Sequence, residues 1–142
     1  MKAFEELRIW QDAQEIALRI YSLFKGNTDY GFRDQIQRAA VSISNNIAEG
    51  SEYNSDRAMI RYLKIAKGSC SEVASMLYLL IKIGNCNKKE EKEEKSIIDD
   101  CKFLSNSIGA FISYLERNYK TNIQKQPRVT SHEVTSQTNQ KS

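Results

Sequence analysis

The strongest constraint on this chain is the spacing of Ile97, Cys101, Leu104, Ile108, Phe111 and Leu115, which recur at alternating intervals of four and three. That cadence keeps one face of an α-helix apolar over about five turns, whereas the two-residue period of a strand would scatter the same residues across both faces. Three further stripes repeat it. Ile9, Ala13, Ile16, Ile20 and Leu23 predict a helix over about 5–25, widened by Trp10, Ala17, Tyr21 and Phe24. Ile36, Ala40, Ile43 and Ile47 predict one over about 32–48. Met59, Leu63, Ala66, Cys70, Val73, Leu77 and then Leu80 or Ile81 predict one over about 55–83. The charged run 88–95, KKEEKEEK, opens the fourth with opposite charges three or four residues apart.

Breakers fall between the stripes: Gly26-Asn27-Thr28-Asp29, Gly50-Ser51, the N-capping set Asn54-Ser55-Asp56, and Gly84-Asn85. With one Pro and six Gly, the chain lacks the turn residues that a sheet protein needs. Four amphipathic helices joined by short connections predict an all-α, antiparallel up-down-up-down four-helix bundle over residues 1–118. Residues 119–142 are rich in Thr, Ser, Gln and Asn and show no apolar period, so a disordered, polar, mildly basic tail is expected there. Residues 1–118 hold 17 basic and 17 acidic side chains, so the formal net charge of +3 belongs entirely to that tail. Net charge is therefore a poor argument for a nucleic-acid partner of the whole molecule.

Several function classes are disfavoured. The longest purely apolar run, Met76 to Ile81, is far short of the roughly 18–20 residues of a membrane span. The N-terminal MKAFEELRIW carries acidic residues where a secretory signal has an apolar core, so a cytoplasmic location is expected. Cys70, Cys86 and Cys101 are odd in number and lack C-x-x-C spacing, which predicts reduced thiols acting as small apolar residues. The single histidine, His132, lies in the tail, and no Glu-x-x-His pair accompanies Glu49 or Glu72. No catalytic residue, metal site or cofactor is expected.

Two helix faces remain as candidate partner surfaces. On the second helix Gln35, Arg38, Ser42, Asn46 and Glu49 project within about 80° of one another. They form a polar strip whose Arg38 is expected to pair with Glu49 or Glu72, and which reads both as a packing network and as a subunit contact. On the third helix Arg57, Arg61 and Lys64 project within about 60°, with Lys67 at the margin, and residues 57–87 hold five cations against the single Glu72. That face reads as a surface for phosphates or an acidic partner, or as an ordinary solvated face. Gly68 lies mid-helix, where glycine costs about 1 kcal/mol relative to alanine, so a close approach by a neighbouring helix is expected there.

The strings themselves resemble a known family. Gln35-Ile36-Gln37-Arg38-Ala39-Ala40-Val41-Ser42-Ile43-Ser44-Asn45-Asn46-Ile47-Ala48-Glu49-Gly50 is similar to the signature of the 23S rRNA intervening-sequence protein family. Arg61-Tyr62-Leu63-Lys64-Ile65-Ala66-Lys67-Gly68-Ser69-Cys70-Ser71-Glu72 resembles that family's helix-three motif, and Leu7-x-x-Trp10-x-x-Ala13 resembles its opening helix. The resemblance covers about residues 4–117. It implies a small bacterial four-helix bundle without established enzymatic activity, assembled as a ring-shaped homopentamer. It also implies a likeness in fold to the accessory variability proteins of diversity-generating retroelements, which bind a reverse transcriptase and nucleic acid. The expected role is a non-enzymatic scaffold for RNA or an RNA-associated protein; the alternative is a protein-only binding module.

Overall fold

The structure, a computed structural model, describes residues 3–84 and 87–125. After a short 3-10 turn at Phe4–Glu6 come four helices: α1 (Arg8–Leu23), α2 (Tyr30–Glu52), α3 (Asp56–Ile83) and α4 (Lys88–Lys125). No strand occurs among the described residues. The expected punctuation is in place. Asp29 accepts the amide of Phe32 at the start of α2, Ser55 accepts that of Ala58 at the start of α3, and Asn87 accepts that of Glu90 at the start of α4. Gly84 closes α3 in the left-handed region, φ 74°, with its amide on the carbonyl of Leu80.

Contacts between helices run in opposite directions along the chain, which makes each neighbouring pair antiparallel. Phe24 stacks on Phe32 while Gln14 reaches Ser44, and Gln35 meets Glu72 while Gly50 approaches Met59. Lys64 meets Glu116 while Lys102 lies over Tyr78, and Arg19 on α1 binds Glu93, Ser96 and Asp100 on α4. The four helices therefore form a closed up-down bundle in which α1 and α3 each lie between α2 and α4.

Inside lie the residues of the four stripes. Ala13, Ile16, Ile20, Ile36, Ala40, Ile43, Ile47, Met59, Leu63, Ala66, Cys70, Val73, Leu77, Ile97, Cys101, Leu104 and Ile108 are all essentially solvent-free. The stripes weaken only at their margins. Ile9, Leu23, Leu80 and Ile81 are half-buried against the core. On α4 the seam steps from Ile108 to buried Ile112, leaving Phe111 half-buried, because a straight helix of 3.6 residues per turn drifts away from a strict heptad.

Other boundaries and positions differ from the sequence expectations. α2 runs past Gly50 and Ser51 to Glu52, and the 3-10 turn takes up the first residues assigned to the opening helix. Helix α4 continues to Lys125, beyond the boundary at 118, so residues 119–125 are helical; the rest of the expected tail, 126–142, lies outside the described residues, as does Cys86. Glu94, part of the charged run that opens α4, is only 1% exposed. It stands three residues before Ile97 and so belongs to the core face of α4, where it borders a recess of about 280 Å³ with Phe24, Gly26, Asn27 and Leu80.

Candidate functional site

Part of the polar strip of α2 faces α3, and the Gln35–Glu72 and Ser42–Ser69 hydrogen bonds cross between the two helices. Gln35 Nε2 donates to Glu72 Oε1 at 3.4 Å. Asn46 Nδ2 donates to the carbonyl of Ser42 at 2.7 Å and to its hydroxyl at 2.9 Å. Ser69, which the sequence reading passed over, gives its hydroxyl proton to the carbonyl of Ile65, so the 3.0 Å contact between Ser42 and Ser69 is donated by Ser42. Small hydroxyls at this seam bring the two helices close, and their polarity is met inside the pair.

Arg38 departs from expectation. It pairs with neither Glu49 nor Glu72: its Nε donates to the carbonyl of Asp34 at 3.4 Å, and no ion pair of Arg38 occurs among the described residues. The reason is the register of the helix pair, which sets Glu72 opposite Gln35 and leaves Glu49 beside Tyr53 at the far end of α2. The exposed Arg38 instead lines an open groove of about 480 Å³ with Gly31, Gln35, Ala39, Ser42 and Glu72.

Gly68, where a neighbouring helix is expected to approach closely, meets none within its own chain. It is exposed, and a Cβ added there would meet nothing within 4 Å. The close approach is at Gly50, where an added Cβ would lie 2.9 Å from Met59 Sδ, 3.0 Å from Tyr62 Cβ and 3.3 Å from Met59 Cα. Gly68→Ala is accordingly expected to raise the unfolding free energy by about 0.5–1 kcal/mol in urea titration, because alanine is the better helix former and nothing opposes it.

The cations of α3 do not form one uniform patch. Lys64 is paired with Glu116 of α4 at 3.6 Å, and the stem of Lys67 packs toward Gly109, whose added Cβ would lie 3.2 Å from Lys67 Cε. Arg57 borders a groove of about 330 Å³ with Ile60 of α3 and Glu116, Tyr119 and Lys120 of α4. Lys120 falls in the expected tail, and only the length of α4 brings it beside Arg57. Arg61 lies over the ring of Tyr62, 5.0 Å from its centroid, and its guanidinium donates to the Tyr62 hydroxyl at 3.4 Å.

Tyr62 in turn stacks on Tyr53, with centroids 5.5 Å apart and planes inclined by 8°. Its hydroxyl donates to that of Tyr53 at 3.5 Å, which donates to Glu49 Oε1 at 3.4 Å. A single direction of donation thus runs from the Arg61 cation to the Glu49 carboxylate. Hydrogen bonding to Tyr62 and the nearby Glu49 charge push the Tyr53 phenol above its usual range. Neither tyrosine stands out in the sequence, where they lie nine residues apart, Tyr53 just after α2 and Tyr62 within α3, and carry no periodic signal.

On the other side of α3, an open groove of about 750 Å³ runs between α3 and α4. Cys70, Ala74 and Cys101 line it together with Ser71, Tyr78 and Lys102. Burial pushes both thiols up to about 12, from an ordinary value of 9.0. Thiol reagents at neutral pH are therefore expected to label neither cysteine in folded Cys86→Ser protein and to label both after unfolding. The sign of the linkage follows. Between about 9 and about 12 the folded state keeps protons that the unfolded state loses, so this contribution to stability is full below that window and declines as pH rises through it.

Among the described residues no group of three His, Cys, Asp or Glu side chains could hold a metal ion, and no helix is long and apolar enough to cross a membrane. Comparison with known proteins adds two findings. A family model described as 23S rRNA-intervening sequence protein matches residues 5–110. A crystal structure of a protein with unknown function from the S23 ribosomal protein family, from Bacteroides thetaiotaomicron VPI-5482, is similar at 26% identity with a TM-score of 0.65, over 74% of this chain and 95% of that one. No curated protein matches.

Proposed function

Since this chain belongs to the 23S rRNA-intervening sequence protein family, we propose that it is a non-catalytic, oligomeric scaffold of the cytoplasm that binds RNA at the end of the bundle where α3 begins and α4 finishes. The observation that carries this reading is the convergence of Arg57 and Lys120, from two helices, on one groove, with Arg61 one turn along from Arg57. Lys64 contributes less, because Glu116 already takes part of its charge. Three cations on one subunit give weak, salt-sensitive attraction to a phosphate backbone; repetition around a ring multiplies it without any new contact. The homopentamer fits this logic. The outward side of α3 supports self-association, since exposed Ile65, Leu79 and Ile83 share that helix with the open surface at Gly68.

The expected result is binding to RNA whose affinity falls linearly with salt on logarithmic axes, with the slope reduced by about one for each of Arg57, Arg61 and Lys120 changed to alanine. Salt-independent affinity, or none, would reject the RNA reading. Light scattering tests the other half: a monomer at micromolar concentration removes the multiplied charge. A protein-only module is the second reading, favoured by the groove between α3 and α4, where Tyr78 and Leu79 are exposed beside a floor of Cys70, Ala74 and Cys101. On that reading the three alanine variants leave partner affinity unchanged.

A further inference from the structure

We propose that Tyr53, at the corner between α2 and α3, is a stacking platform for an unpaired nucleobase, so that the RNA bound at this end is single-stranded or looped. The inference rests on the RNA reading above and adds the kind of RNA and the residue that selects it.

The platform is built from the sequence upward. Gly50 lets α3 close on the last turns of α2, because any side chain there would strike Met59 and Tyr62. The closure sets Tyr62 under the residue that follows α2, which is Tyr53. Asn54 then takes a positive φ of 49°, a conformation that asparagine adopts more readily than most residues, and turns the chain into the Ser55 cap of α3. A parallel pair of rings results on the surface rather than in the core.

Such a pair would be an odd way to stabilise a corner. Tyr53 keeps 53% of its surface exposed although one face is covered by Tyr62, so its other face is open to solvent. The hydrogen bonds along the hydroxyls lie at the long limit of 3.4–3.5 Å, so they align the rings more than they bind them. What the arrangement offers is a flat π-surface whose tilt is held, with a guanidinium on the neighbouring ring and Arg57 one turn before Arg61 on α3. Aromatic faces beside cations are the recurring means of holding unpaired bases, the ring taking the base and the cations the adjoining phosphates. A duplex, whose bases are already stacked, could use the cations but not the ring.

A tryptophan reporter tests this directly. Tyr53→Trp protein is titrated with a single-stranded oligoadenylate, whose bases are unpaired, and with an RNA duplex of the same length. Wild-type protein, whose own Trp10 is half-buried against Phe4, serves as baseline. The expected result is quenching of the added tryptophan by the oligoadenylate and not by the duplex. Tyr53→Ala is expected to weaken the oligoadenylate by about tenfold while leaving the duplex affinity unchanged, and Tyr53→Phe to retain both. Melting curves of the variants, matched to wild type, exclude loss of fold. Absence of quenching, or equal loss for both RNAs, overturns the platform. If only the duplex binds with a salt slope, the platform fails and the RNA reading stands; if neither RNA binds, both fail.

Discussion

Phe24→Ala is expected to remove about 3–5 kcal/mol of stability, a large share of the roughly 5–15 kcal/mol that a domain commonly has. Phe24 is the first residue beyond α1, yet it is 1% exposed. Its amide holds the carbonyl of Ile20 at 3.1 Å, and its ring stacks on Phe32 with centroids 5.8 Å apart. The ring therefore fastens the α1–α2 corner to the core. Truncation would leave a cavity that cannot readily collapse, since Phe32 follows an N-cap fixed by Asp29 and the recess beside it is bounded by Leu80 of α3 and Glu94 of α4. Urea titration measures the loss directly. Leu18→Ala is the control, because Leu18 is 65% exposed, and its effect is expected within about 0.5 kcal/mol. A loss below about 1 kcal/mol for Phe24→Ala would mean that the corner repacks and that the ring is not its fastener.

Gly50→Val is the second large effect, a loss of about 3 kcal/mol. Two contributions oppose each other. Replacing a helical glycine gains up to about 1 kcal/mol in backbone entropy, less for a β-branched residue. Against this stands overlap with Met59 and Tyr62. The Met59 sulfur could swing aside, but Tyr62 Cβ at 3.0 Å and Met59 Cα at 3.3 Å move only with the backbone of α3. The clash therefore prevails and the two helices separate at this end. Gly68→Ala, in open space, is expected to change stability in the opposite direction, so the two variants measured together separate helix propensity from close packing. Near-ultraviolet circular dichroism adds a second readout, since spreading the helices also parts Tyr53 from Tyr62. An unchanged melting temperature for Gly50→Val would reject the close approach.

The core of this bundle was legible because each helix repeats its apolar residues with a period that only a helix converts into one face. Ile43, Leu63 and Leu104 could be placed inside from spacing alone, and so could the caps Ser55 and Gly84. Glu94 was also within reach, since it continues the seam of Ile97 by one step of three, but its charged neighbours concealed it. The register between helices was not legible. Which residue of α3 faces Gln35 depends on the length of the corner and on the depth to which Gly50 sinks, and neither leaves a local pattern. That is why the partners of Arg38, the close approach at Gly50 and the Tyr53–Tyr62 stack leave no signal in the sequence. Lys120 is hidden for a different reason: residues 119–125, in which only Tyr119 and Ile123 are apolar, carry no apolar period, yet they continue a helix already nucleated by what precedes them.

The unequal helix lengths have one more consequence. α1 spans 16 residues and α4 spans 38, about 24 Å against about 57 Å. Residues 120–125 of α4 are all exposed, so the final turns of that helix bury little beyond the side of Glu116 and Tyr119 that borders Arg57 and Ile60 of α3. Such turns open and close by local fraying, independently of the global unfolding that governs the centre of the bundle. The end of the molecule that carries Arg57 and Lys120 is thus its least cooperatively fastened end. A ligand seated there would stiffen it, and part of its intrinsic affinity would be consumed as the entropy of that ordering.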